Sequence, residues 1–223
     1  MPRTPGRSHP CTVKVLFHVK HPEDPSVLET NAAKLGVRLS AAQAASLLIL
    51  ETLLLERAVP GGMIAEADAP RLRERHVLDC LRAAAVVRPG DKDAYDLGSG
   101  AGLPGLVLAV ALPDLRLTLV ETRRRRAAFL ELAVERLGLR NAAVAVSRIE
   151  ALSERVDLCF ARALAPATVG WRLAEPLLRP EGRLVHFAGA GAVGPFRVPG
   201  ARVIETRSTP VLERAGPLVI MAR

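Results

Sequence analysis

The hydrophobic pattern along the chain changes period once. Between residues 26 and about 87, apolar positions return every three or four residues, the spacing of helices with one buried face. Ser26 opens a short helix that Gly36 closes, and Ser40 with Gln43 forms a capping box for the next, which runs to about Ala58. Pro60-Gly61-Gly62 then breaks the chain. Asp68 and Pro70 introduce a third helix, whose stripe of Leu72, Val77, Leu81 and Ala84 predicts its buried side. From Asp93 onward, short runs rich in Val and Leu alternate with helical periods. They predict strands at 94–97, 116–121, 142–147, 156–161 and 182–188, and helices near 102–111, 123–138 and 167–178. Two more strands, in "ARVIETRS" and "GPLVIMAR", have no helix between them and are expected to pair antiparallel at the sheet edge. Strand–helix alternation builds right-handed βαβ units. The expected fold is α/β: a mainly parallel seven-stranded sheet with an antiparallel C-terminal edge, plus an N-terminal helical segment. Residues 1–25, with five prolines, are expected to be a disordered tail, 26–92 a helical cap and 93–223 a ligand-binding domain.

Composition narrows the function classes. The 223 residues are 49 % apolar, enough for a substantial core, yet no window reaches the length of a membrane span. The nearest, "AASLLILETLLL", is interrupted by Glu51 and bounded by Glu56, and reads as a buried helix. The start of the chain lacks an uninterrupted apolar run of the signal-peptide kind, so a cytoplasmic protein is expected. Cys11, Cys80 and Cys159 have neither disulfide-framework nor zinc spacing, and no metal site is expected. The net charge of +8 points to a polyanion such as nucleic acid. All but four of the 31 basic residues are arginine, a bias that a GC-rich genome also produces. No long apolar face is left unassigned, so a monomer is expected.

Candidate chemistry concentrates in "YDLGSGAGLPGL", Tyr95 to Leu106, where the first parallel strand meets its helix. Glycines at 98, 100, 102 and 105 leave backbone bare for a ligand, and a helix start offers free N–H groups. The spelling GxGxxG is shared with dinucleotide-binding loops. Asp96 separates the two possibilities: a carboxylate there suits the cationic amino end of S-adenosylmethionine and repels a pyrophosphate. Glu121 ends the second strand, where a carboxylate takes both ribose hydroxyls in either cofactor class.

With these elements in place, the sequence resembles the RsmG (GidB) family of bacterial methyltransferases that modify N7 of a guanine in the decoding region of 16S ribosomal RNA. The likeness is carried by "RHVLDC" (75–80), "DLGSGAGLPGLVLAV" (96–110), "ETRRRRAAFL" (121–130), "SRIEAL" (147–152) and "ARALAP" (161–166). The resemblance implies a Rossmann-like class I fold dependent on S-adenosylmethionine, and 16S ribosomal RNA or the small subunit as partner. It implies that Asp96, Gly98, Ser99, Gly100, Gly102 and Leu103 line the cofactor loop, that Glu121 and Thr122 hold the ribose, and that Ile149 and Glu150 lie beside the adenine. Arg148 and Arg162 would stand near the cofactor and the target guanine as catalytic arginines. Arg75 and His76, with Asp79, match the helix that covers the site, and Arg75, His76, Arg123, Arg125 and Arg126 would meet RNA. N7 carries a lone pair and no proton, so positioning rather than acid–base chemistry is expected. Two other readings stand beside this one: a non-catalytic RNA-binding or ribosome-assembly protein that keeps the fold, and an NAD(P)-dependent oxidoreductase.

The arginine run poses its own question, since cations are disfavoured at a helix start. Arg126 lies one turn before Leu130 on the buried stripe Leu130, Ala133, Leu137, and so should face the strand ends, where an RNA phosphate would supply the missing anion. Departures from the family pattern are "ERAVPGGMIAEAD" (56–68) in place of an aromatic segment, Ala161 in place of a serine, and Ala188 in place of a lysine. Aromatic residues are only 3 % of the chain, so base-stacking platforms are few and RNA binding must rest on arginine.

Overall fold

The computed structural model describes residues 24–212 and 214–223; most of the expected tail, and Cys11 with it, lies outside the described residues. The sheet has seven strands: β1 (Asp93–Leu97), β2 (Arg116–Glu121), β3 (Ala142–Val146), β4 (Val156–Arg162), β5 (Leu178–Phe187), β6 (Arg202–Arg207) and β7 (Leu218–Ala222). Their order is β3-β2-β1-β4-β5-β7-β6. The first five are parallel, and β7 lies antiparallel between β5 and β6. The chain reverses direction across the sheet between β3 and β4, so the carboxyl ends of β1 and β4 flank a crevice, the place where open α/β sheets bind ligands.

Helices α4 (Gly105–Ala111), α5 (Arg124–Arg136) and α6 (Ala167–Ala174) connect the parallel strands. Helix α4 begins three residues later than its hydrophobic pattern predicts, because residues 101–104 form turns that carry the glycine loop around. Its C-terminal carbonyls are met by side chains. Gln43 donates Nε2–H to Val110 and Ala111, and Asn141 donates to Ala109 and Leu112.

The N-terminal segment forms α1 (Pro25–Lys34) and α2 (Ala41–Leu53), the latter extended by a π-helical turn to Ala58. Asp24, not Ser26, caps α1, and Ser40 with Gln43 makes the capping box of α2. The third helix is a composite rod. It comprises a 3₁₀ turn at Glu66–Arg71, a π-helical stretch at Arg73–Leu78, an α turn, α3, at Asp79–Leu81, and a second 3₁₀ turn at Arg82–Val86. Asp68 does not cap it; its carboxylate pairs with Arg75 and faces His76. The expected stripe of Leu72, Val77, Leu81 and Ala84 is buried.

One continuous core joins the helical segment to one face of the sheet, from Leu28 through Leu47, Leu81 and Leu106 to Leu218. A second core on the other face centres on Trp171, which packs α6 against the strands. Within the first core, Glu51 is buried but takes a bidentate hydrogen bond from Arg73 of the rod, which satisfies its carboxylate.

Candidate active site

The glycine loop follows β1 directly, and its glycines do different work. Gly98, Gly100 and Gly102 all have positive φ, at 70°, 59° and 79°, which only glycine adopts without strain. A Cβ on Gly102 would strike Leu106 and Leu130, and one on Gly105 would strike Leu119 and the Asp96 carboxylate. These two are demanded by packing from within. Gly100 has no such neighbour; its closest are the Gly98 carbonyl at 3.8 Å and a guanidinium nitrogen of Arg126 at 4.0 Å. Gly100 is therefore the part of the loop open on the ligand side. Ser99 and Leu103 point inward and are buried, so only their backbone can face a ligand.

Asp96 is 1 % exposed. Its Oδ2 accepts the Gly105 N–H at 3.0 Å, the first amide of α4, and the Ser99 hydroxyl donates to its carbonyl. Burial pushes the Asp96 carboxyl up to about 6, against the opposing pull of these hydrogen bonds. Glu121 ends β2 one strand away and is also buried. Its Oε2 accepts the Gly100 N–H at 3.1 Å, and its Oε1 accepts the amides of Thr122 and Arg123 at 2.8 and 2.9 Å. Arg126 turns back from α5 to within 3.8 Å of the same carboxylate. The chain thus supplies its own anion at the start of α5, in the place where the arginine run alone calls for an external phosphate.

A cavity of about 570 Å³ opens beside the loop at the ends of β4 and β5. Its wall includes Arg162, His76, Asp79, Leu164, Pro166 and His186. Leu164 sits where a Cβ of Gly98 would be, and so joins this cavity to the glycine loop. Arg162 is clamped by the composite rod. Its Nε donates to Asp79 Oδ2 at 3.0 Å, and its Nη2 donates to the Arg75 carbonyl at 3.0 Å and meets His76 Nδ1 at 3.0 Å. Asp79 in turn accepts from Arg82, a 2 % exposed guanidinium stacked on Phe187. The next residue, Ala163, has φ 52°, a strained conformation for a residue with a side chain. It turns the chain sharply from Arg162 into the cavity rim.

The structure gathers Asp96, Glu121, Thr122 and the glycines at the ends of β1 and β2, with Ile149 buried against Val120. It does not bring Arg148 to Arg162. Arg148 follows β3, three strand positions from β4, on the order of 14 Å away across the sheet. It is exposed and makes no side-chain hydrogen bond with the described residues. The expected RNA-facing set also divides. Arg123 and Arg125 are exposed, whereas Arg75 pairs with Asp68, His76 turns to Arg162 and Arg126 to Glu121. Sequence reading missed His186. It is buried on β5, its Nδ1 has no hydrogen-bond partner among the described residues, and burial holds its basicity below the ordinary histidine range. Its one sequence signal was a histidine inside the apolar run "RLVHF".

Comparison with known proteins places this geometry. The crystal structure of a SAM dependent methyltransferase from Aquifex aeolicus aligns with a TM-score of 0.55 at 16 % identity, covering 73 % of this chain and 97 % of that one. A mutant of MtNAS in complex with S-adenosylmethionine aligns at 0.54 and 18 %, covering 90 % and 93 %. Strand order, glycine loop and the acids ending β1 and β2 define the Rossmann-like fold of class I S-adenosylmethionine-dependent methyltransferases. The model of the GidB family, rRNA small subunit methyltransferase G, matches residues 43–194, and the chain belongs to that family. Ribosomal RNA small subunit methyltransferase G of Nocardioides sp. is 46 % identical over 142 residues, 62 % of this chain and 56 % of that protein. The protein of the same name from Thermobifida fusca is 44 % identical over 63 % of this chain and 60 % of its own length. The match to these two relatives thus spans a little over half of their length. That of Salinispora tropica is 43 % identical over 182 residues, 76 % of this chain and 72 % of that protein.

Proposed function

We propose that the protein transfers a methyl group from S-adenosylmethionine to N7 of a guanine in the decoding region of 16S ribosomal RNA. The observation that carries this reading is the pairing of two buried carboxylates, Asp96 and Glu121, on either side of an open Gly100, next to a cavity faced by a clamped arginine. The donor set suits the cofactor. Asp96 offers negative charge for a cationic amino group, Glu121 offers carboxylate oxygens for ribose hydroxyls, and Gly100 leaves room for close approach. Bound there, the cofactor would supply an electrophilic methyl group on a cationic sulfur. Arg162 would orient the acceptor base by donating to an oxygen at its edge, and the cavity walls would exclude water. A volume of about 570 Å³ accommodates a nucleobase with part of its sugar. The exposed Arg123, Arg124, Arg125 and Arg148 rim the same end of the sheet and suit RNA phosphates. A dinucleotide fits this site poorly, because a pyrophosphate would face two carboxylates and the first amide of α4 is already taken by Asp96.

The test is methyl transfer from labelled S-adenosylmethionine to small ribosomal subunits from cells lacking the gene, followed by location of the label. Label on N7 of one guanine supports the reading. Cofactor binding with no transfer to RNA sinks the proposed substrate, and RNA binding without cofactor binding favours a non-catalytic protein that keeps the fold.

A further inference from the structure

The guanidinium of Arg162 has five N–H donors. Nε–H goes to Asp79, and Nη2 lies at 3.0 Å from both the Arg75 carbonyl and His76 Nδ1. Nη1 makes no hydrogen bond with the described residues, and it is not among the buried nitrogens without a partner. Arg162 lines the cavity, so the two Nη1 hydrogens are the ones offered there. This arrangement fixes the state of His76. An arginine nitrogen can only donate, so Nδ1 must accept, and the proton of the neutral ring sits on Nε2. Nε2 is buried and makes no hydrogen bond with the described residues; Asp68 Oδ2 stands 3.4 Å away, and its negative charge favours an N–H over a lone pair at that nitrogen.

We propose that His76 is a positioning residue: its neutral, Nδ1-accepting form locks Arg162 so that the Nη1 hydrogens meet an acceptor oxygen of the substrate nucleotide. The role rests on the methyltransferase reading above. Protonation at Nδ1 removes the acceptor and places a second cation against Arg162, so the lock is present at high pH and released as pH falls. The charged groups around the ring pull in both directions. Arg162 from β4 and the neighbouring Arg75 oppose protonation, Asp68 from the preceding 3₁₀ turn favours it, and burial is the largest influence and holds His76 below the ordinary histidine range.

Two measurements on the full chain test this. In the ¹⁵N spectrum of the imidazoles, His76 is expected as the Nε2–H tautomer at neutral pH, titrating below pH 6.5. An Nδ1–H tautomer, or a midpoint at or above 6.5, overturns the lock. The second measurement is kcat against pH at saturating S-adenosylmethionine, which separates His76 from the effect of Asp96 on cofactor binding. His76→Ala is expected to lower kcat roughly ten- to a hundredfold, the scale of a small misplacement of a positioning group, with KM for the cofactor unchanged. His76→Asn, whose Oδ1 stands near the place of Nδ1 and does not titrate, is expected to restore most of kcat and to lose the acid limb. Transfer unaffected by His76→Ala, or an acid limb kept by His76→Asn, overturns this role alone. No transfer by the unaltered protein overturns the functional reading and the role together.

Discussion

Asp96 and Glu121 each join a place in the fold to the binding role proposed for them, and the two can be separated. Burial raises the Asp96 carboxyl to about 6, so between about pH 4 and 6 the folded protein holds a proton that the unfolded chain has lost. This group's contribution to stability is full below that window and falls as pH rises through about 6. Asp96→Asn should therefore stabilise the protein at pH 8 by about 1–3 kcal/mol in urea unfolding, while abolishing binding of S-adenosylmethionine in calorimetry. In the unaltered protein a cationic ligand favours the ionised form, so cofactor affinity should weaken as pH drops below about 6. Glu121→Gln keeps the shape and loses the charge; cofactor binding should weaken by about 1.5–3 kcal/mol, the scale of hydrogen bonds to a charged group. At this scale the identity of the acids was legible, because a carboxylate at a strand end beside glycines is a local pattern. The partners were not. That Arg126 would turn to Glu121, and His76 to Arg162, depends on contacts between residues as much as 86 positions apart.

Elements were legible where one period governs them. Seven strands form where strands are expected, although β5 begins at Leu178 and not at 182; the record is clearest in β1 and β4, where both faces of the parallel sheet are covered and the run is almost continuously buried. The composite rod was not legible as such. Its apolar stripe is helical, but Pro70 sits in a 3₁₀ turn and two of the clamp residues, Arg75 and His76, in a π-helical stretch, which hydrophobic period alone cannot distinguish. Gln43 was legible as half of a capping box, and its second task was not. It closes the start of α2 and the end of α4 together. Gln43→Ala should cost about 1–3 kcal/mol, more than Ser40→Ala at about 1 kcal/mol, and the difference between the two variants in urea unfolding measures the link to α4.

At the scale of the molecule, the basic balance is unevenly used. Arg73, Arg82, Arg162 and Arg183 are tied to carboxylates inside the fold, whereas Arg123, Arg124, Arg125 and Arg148 stand exposed at one end of the sheet. If those four meet phosphates, replacing them with glutamine should flatten the slope of log affinity for single-stranded RNA against log salt by up to about 3, at about 0.7 for each contact. An unchanged slope would move the RNA path elsewhere. Net charge is visible in composition, but which arginines remain free is decided only by the folded arrangement of their partners.

The three hydrogen bonds on Arg162 also determine a plane. A guanidinium is flat, and once Nε and Nη2 are held at fixed points the directions of the Nη1 hydrogens follow. In the proposed complex an oxygen that takes them would approach within that plane, so the clamp would select the tilt of an incoming ring before any feature of its edge is read. A lysine at 162 would keep the positive charge and lose this reference. It would bind phosphate-bearing ligands in many poses and hold none of them square to the methyl donor.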